Sequence, residues 1–134
     1  MKKIEHIGIA VKDIRQSKEL FSKIFNQDSY KSEVISSESV VTEFFRIGET
    51  KVELIASIDD SSSISKYLEN HREGMHHIAF LVDDIYSEMD RIRSLSIRIL
   101  NDNPKIGADK KLICFLHPKD TNGVLIEMCQ KMPQ

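Results

Sequence analysis

His6-Ile7-Gly8-Ile9-Ala10-Val11, followed by Lys12-Asp13-Ile14, and His77-Ile78-Ala79-Phe80-Leu81-Val82, followed by Asp83-Asp84-Ile85, are one pattern written twice. The pattern His-Ile-x-x-x-Val-x-Asp-Ile keeps a single offset at every matched position, 77 − 6 = 71 residues, about half of the 134-residue chain. A duplicated half-chain is the first expectation. Each run is apolar and rich in Ile and Val, so it reads as a strand, and Asp13 or Asp84 then stands where its carboxylate can accept from the free N–H groups of a first helical turn.

From the first strand outward, Ile14, Leu20, Phe21, Ile24 and Phe25 recur at helical spacing, and the helix is predicted to end near Asn26. Strands are predicted over Tyr30 to Ile35, Val40 to Ile47 and Lys51 to Ala56, with turns at Ser36 to Ser39 and Gly48 to Thr50 that favour antiparallel hairpins. The polar stretch Asp59 to Ser63 leads into a short helix carrying Ile64, Tyr67 and Leu68, and Asn70 to Gly74 connects the halves. The second half repeats the order. A helix carries Ile85, Met89, Ile92 and Leu95 on one face, a strand is predicted around Ile97 to Leu100, and a loop over Asn101 to Lys110. Strands at Leu112 to Leu116 and Val124 to Cys129 flank the turn His117-Pro118-Lys119-Asp120 with Asn122-Gly123, and Lys131 to Gln134 are predicted to be loose. The predicted fold is α+β: two tandem β-α-β-β-β modules, about residues 3–58 and 75–130, forming one cleft-bearing curved mixed sheet in a single domain, 1–134.

Composition narrows the function classes. A hydrophobic content of 40% with 30% charged residues is that of a globular chain rather than a disordered one. No apolar run approaches the roughly 18–20 residues that span a bilayer, and the start, Met1-Lys2-Lys3-Ile4-Glu5-His6, runs straight into a strand instead of a signal peptide. Net charge is −2 with interspersed signs, so neither nucleic acid nor a membrane surface is the expected partner. Cys114 and Cys129 both lie in apolar strands, which fits free thiols in a reducing cytoplasm. Apolar Ile35, Val40 and Phe45 are candidates for a homodimer interface.

Four polar residues sit where apolar strands should have none. Glu53 interrupts Val52-Glu53-Leu54-Ile55, Glu127 interrupts Ile126-Glu127-Met128-Cys129, and His6 and His77 open the repeated strands. A buried carboxylate is normally neutralised, paired or bound to a metal. Two His and two Glu form a nitrogen and oxygen donor set suited to Co2+, Ni2+, Mn2+, Fe2+ or Zn2+, and four such ligands on an octahedral ion leave two adjacent positions open. The plainer reading treats the histidines as satisfied core residues and pairs the glutamates with Lys51 or Lys111. His76 competes with His77, but only His77 keeps register with His6; His71 and His117 fall in a linker and a turn, with no metal role.

The order His6, Glu53, His77, Glu127 on paired β-α-β-β-β modules resembles the vicinal oxygen chelate superfamily, which includes glyoxalase I, extradiol dioxygenases and methylmalonyl-CoA epimerases. Thr50-Lys51-Val52-Glu53-Leu54, Gly74-Met75-His76-His77-Ile78-Ala79 and Lys105-Ile106-Gly107-Ala108 resemble the epimerase members, as does Phe115-Leu116-His117-Pro118-Lys119-Asp120 with Gly123-Val124-Leu125-Ile126-Glu127. The resemblance covers roughly Ile4 to Gln130. It implies a divalent metal, Co2+ foremost with Ni2+, Mn2+ or Zn2+ as alternatives, held by His6, Glu53, His77 and Glu127. It further implies interconversion of (2R)- and (2S)-methylmalonyl-CoA by α-proton abstraction through a metal-stabilised enolate. Glu127 is the expected ligand nearest the reacting carbon and a possible proton acceptor. Glu43 is the candidate base on the other face, with Thr42 in its place if that strand aligns one residue differently. Lys119 is the candidate contact to the acyl-CoA substrate. Some epimerases carry Gln where this chain has Glu53, which keeps an oxygen ligand. The rival readings are a lactoylglutathione lyase of the glyoxalase I type and a metal-free small-molecule binding protein of the same fold.

Overall fold

A computed structural model describes residues 1–133; Gln134, the last residue of the predicted loose tail, lies outside the described residues. The chain divides into two compact units, Met1–His6 with His77–Gln134 and Ile7–His76. Strand β1, Lys3–Ala10, gives its first half to one unit and its second half to the other.

In the continuous unit, helix α1 (Ile14–Phe25) starts at Asp13, whose side chain accepts from the Gln16 N–H, and stops at Asn26 in the left-handed conformation. Strands β2 (Lys31–Ile35), β3 (Val40–Ile47) and β4 (Thr50–Ser57) form an antiparallel meander next to β1, in the order β2-β3-β4-β1. Side chains alternate across a sheet. Val11, Phe45, Leu54 and Ala56 therefore make one core with Phe21 and Phe25 of α1, while Val40 packs with Ala10 and Ile64 under helix α2 (Ser63–Asn70). Val40 and Phe45, candidates for an interface on sequence grounds, are core residues, 3% and 0% exposed.

In the other unit the strand order is β1-β5-β8-β7-β6, with β5 at Gly74–Leu81, β6 at Lys105–Ile106, β7 at Lys111–Phe115 and β8 at Ile126–Lys131. β5 and β8 run parallel and pair Ala79 with Glu127, whereas β7 and β8 are antiparallel and pair Phe115 with Glu127. Helix α3 (Ile85–Ser94), capped by Asp84, covers one face through Ile85, Met89 and Ile92 against Cys114, Leu116 and Met128. The opposite face carries Ala79, Ile113, Phe115 and Cys129.

The mixed sheet with its helices is the vicinal oxygen chelate fold that the sequence predicts. Three local expectations are corrected. Ile97 to Leu100 forms no strand beyond a single bridge, Ile99 to Leu116. Two backbone bonds flank that bridge, Leu100 N–H to the Phe115 carbonyl and His117 N–H to the Arg98 carbonyl, and side chains take the next positions: Asn101 Oδ1 accepts from the Phe115 N–H and Asp120 Oδ2 from the Arg98 N–H. The predicted loop instead supplies β6, paired with β7 through Lys105–Ile113 and Ile106–Leu112. Lys131, read as tail, closes β8 opposite Lys111. Among the described residues no helix is long and apolar enough to cross a membrane.

Candidate metal centre

His6 ends the part of β1 that belongs with the second half of the chain, and His77 lies on β5 of the same unit. Glu127 is in register with Ala79, two residues beyond His77, so the period of two puts His77, Ala79 and Glu127 on one face of the sheet. That face is the one away from α3, which explains how an apolar run can carry a carboxylate: Met128 and Cys114 serve the helix side while Glu127 serves the other.

The three side chains converge. His6 Nε2 and His77 Nε2 are 3.0 Å apart, and each stands 3.6 Å from an oxygen of Glu127. The residues are only 6%, 5% and 4% exposed. The two imidazoles meet edge to face, with ring centroids 5.1 Å apart, and Phe115 meets His77 in the same way at 6.0 Å. Donors bonded to one ion at about 2.1 Å lie about 3.0 Å apart at octahedral corners and about 3.4 Å apart at tetrahedral ones. Two Nε2 atoms and a carboxylate at this spacing, shielded from water, fit a first-row divalent ion, and all three offer a ligand atom within 4.8 Å of the others.

The remaining expected residues lie elsewhere. Glu53, 3% exposed, is on β4 of the continuous unit, opposite Phe44 of β3; its place as a fourth ligand rests on the resemblance. Thr42 and Phe44 share its face, since residues paired across antiparallel strands point the same way. Glu43 points to the other face, where it accepts from Ser29 Oγ at 2.7 Å and meets Lys18 Nζ at 3.6 Å beside α1. The sequence could not decide between Glu43 and Thr42; the register of β3 and β4 gives Thr42 the face of Glu53, and the Thr42 hydroxyl donates to the Glu33 carbonyl at 3.3 Å. Lys119 is exposed in the 3-10 turn Pro118–Asp120. His76 packs edge-on against Tyr67, which His71 stacks on at 4.2 Å, and His117 Nδ1 caps its turn by accepting from the Lys119 N–H.

Sequence reasoning missed Glu5. It is 2% exposed, and its Oε1 lies 3.4 Å from His6 Nδ1 and 3.5 Å from the ammonium of Lys111, itself 4% exposed. The plainer reading offered Lys111 as a partner for a strand glutamate; the partner is Glu5, together with Asp109, which Lys111 also bonds at 2.5 Å. A carboxylate beside a strand histidine was the available signal, but nothing local announces that Lys111 reaches it.

Comparison with known proteins identifies the family. The family model of the Glyoxalase/Bleomycin resistance protein/Dioxygenase superfamily matches residues 5–115, and the chain belongs to that superfamily. Within it, the chain is 36% identical over 130 residues to the mitochondrial methylmalonyl-CoA epimerase of Dictyostelium discoideum, covering 96% of this chain and 78% of the relative. It is 34% identical to the ethylmalonyl-CoA/methylmalonyl-CoA epimerase of Cereibacter sphaeroides, covering 96% and 97%. A variant of Streptomyces coelicolor methylmalonyl-CoA epimerase, in complex with 2-nitronate-propionyl-CoA, superposes with a TM-score of 0.94 at 31% identity over 99% of both chains.

Proposed function

We propose that this protein is a divalent-metal-dependent epimerase that interconverts (2R)- and (2S)-methylmalonyl-CoA. The observation that carries the reading is the buried convergence of His6, His77 and Glu127 in a chain that resembles methylmalonyl-CoA epimerases over nearly its whole length. The hydrogen to be removed lies between a thioester and a carboxylate and is only weakly acidic in water. A bound divalent ion, Co2+ foremost, supplies the Lewis acidity that lowers the energy of the enolate left by its loss.

The protein's own groups do the rest. His6 and His77 present Nε2 lone pairs and Glu127 a carboxylate oxygen, with Glu53 added by the resemblance. Phe115, with Ala79, Ile113 and Cys129, gives that face of the sheet an apolar floor, which excludes water and strengthens every charge interaction above it. Glu127, whose two oxygens face His6 and His77, also serves as a proton acceptor. Inversion needs reprotonation from the opposite side; Glu43, turned toward Ser29 and Lys18, is not presented to the face that Glu53 occupies. Lys119 pairs with an anionic group of the CoA. The nitronate-bearing CoA in the Streptomyces relative supports the enolate, because a nitronate is likewise a planar, delocalised anion. We further propose a cytoplasmic homodimer, for which the buried free thiols Cys114 and Cys129 fit a reducing compartment.

The test is turnover. Protein stripped with chelator and reloaded with Co2+ is expected to release α-tritium from labelled methylmalonyl-CoA and to leave the glutathione hemithioacetal of methylglyoxal untouched. Full turnover by the stripped protein, or preference for the hemithioacetal, would overturn the reading.

A further inference from the structure

Beneath the three-residue cluster lies a second, fully buried set of charges that the epimerase reading does not use. Glu5 and Lys111 are 2% and 4% exposed, and Lys111 Nζ lies 3.5 Å from Glu5 Oε1 while also holding Asp109. Burying a carboxylate and an ammonium is unfavourable unless both are well paired, and Lys111 and Glu5 supply that pairing to each other. The oxygen that meets Lys111 also reaches the first ligand: Oε1 of Glu5 faces Nδ1 of His6 at 3.4 Å.

We propose that Glu5 is a positioning residue that fixes the ring of His6 with its proton on Nδ1, so that the Nε2 lone pair is aimed at the metal position, and that Lys111 holds Glu5 for this task. An ionised carboxylate only accepts hydrogen bonds, so the imidazole proton sits on the nitrogen that faces it. The other nitrogen, Nε2, is the atom that stands 3.0 Å from His77 Nε2 and 3.6 Å from Glu127. A histidine that ligates through one nitrogen while donating from the other to a carboxylate gains both basicity and a fixed orientation. The assignment runs along one connected line, Asp109 to Lys111 to Glu5 to His6, that ties the 3-10 turn Ala108–Lys110 to the site.

The inference rests on the metal reading above, and its experiment separates the two. Glu5→Gln leaves Lys111 with Asp109 alone and keeps an amide oxygen that can still accept from His6, so the informative variant is Glu5→Leu combined with Lys111→Met, which replaces the buried pair by apolar groups of similar size and is expected to fold. Two readouts are taken. In metal-free protein, the ring nitrogen-15 shifts of His6 report the tautomer directly: Nδ1-protonated in the wild type, and no longer fixed in the double variant. Co2+ titration against a competing chelator reports affinity, expected to fall 10- to 100-fold in the double variant with far-UV circular dichroism unchanged. A wild-type tautomer protonated on Nε2, or a double variant that keeps both the His6 shifts and the Co2+ affinity, overturns the positioning role and leaves only a structural ion pair. Failure of the wild type itself to bind Co2+, Ni2+, Mn2+ or Zn2+ defeats the metal reading, while the nitrogen shifts still decide the role of Glu5.

Discussion

Two adjacent histidines, His76 and His77, show how much chemistry turns on one position along a strand. His77 points to the face shared with Glu127 and His6, whereas His76 points to Tyr67. His77→Ala is expected to abolish Co2+ binding and turnover with the fold retained, and His76→Ala to leave both within about twofold; equilibrium dialysis with the two variants checks this. Glu43→Gln weakens the charge-assisted bond from Ser29 and is expected to lower stability by about 1 kcal/mol while turnover stays within about twofold; urea unfolding and an activity assay read the two effects. The choice of His77 was legible because strand alternation and the 71-residue offset are properties of the sequence alone. The face of Glu43 was not, because it depends on which residue of β4 stands opposite, and that register is a tertiary fact. Glu5 was illegible for the same reason: its burial is set by a lysine more than a hundred positions away.

Among the elements, the turn His117-Pro118-Lys119-Asp120 carries the most specific sequence signature, and its acid has a structural task. Asp120 accepts from Arg98 Nε, Nη2 and the backbone N–H, each at 2.9 Å. These bonds hold its carboxyl far below the usual aspartate range, the guanidinium of Arg98 being the main cause. A depressed carboxylate contributes stability that is present above the unfolded value near pH 4 and is lost as pH falls through the folded one. The melting temperature of Asp120→Asn should therefore sit below that of the wild type at pH 7, with the gap closing as both are titrated below about pH 4. The bond to the Arg98 N–H, with that of Asn101 to the Phe115 N–H, takes the donors on either side of the single bridge that Ile97 to Leu100 makes. At the β6–β7 hairpin, a Cβ on Gly107 would lie 2.6 Å from Ile113 Cδ1. Gly107→Ala is expected to cost about 1–3 kcal/mol in a denaturant titration.

For the whole molecule, ligand linkage gives a direct measure of the proposed site. An ion that binds only the folded state at 100 times its Kd adds about 2.7 kcal/mol, roughly 10 °C in melting temperature for a chain of this length. Co2+ is expected to give such a rise in wild type and none in His77→Ala by differential scanning calorimetry. Thiol chemistry offers a second global probe. Burial, helped by the charge of Glu127, pushes the Cys114 thiol up to about 11, so a thiol reagent at pH 8 should label it only after unfolding. The α+β class was legible because apolar strands alternate with segments of helical period in each half. The division into two compact units was not, since it groups the six residues that open the chain with its second half.

That grouping has a consequence for how the protein is made. The unit Ile7–His76 is continuous and can condense as soon as its own residues leave the ribosome, while the unit holding His6, His77 and Glu127 is discontinuous. Its opening strand is synthesised first and must wait for some seventy residues to pass before its companions exist. The proposed ligand set is thus completed only when Glu127 emerges, 121 residues after His6. A nascent chain stalled between His77 and Glu127 carries the two histidines without their carboxylate, so high-affinity metal capture waits for Glu127.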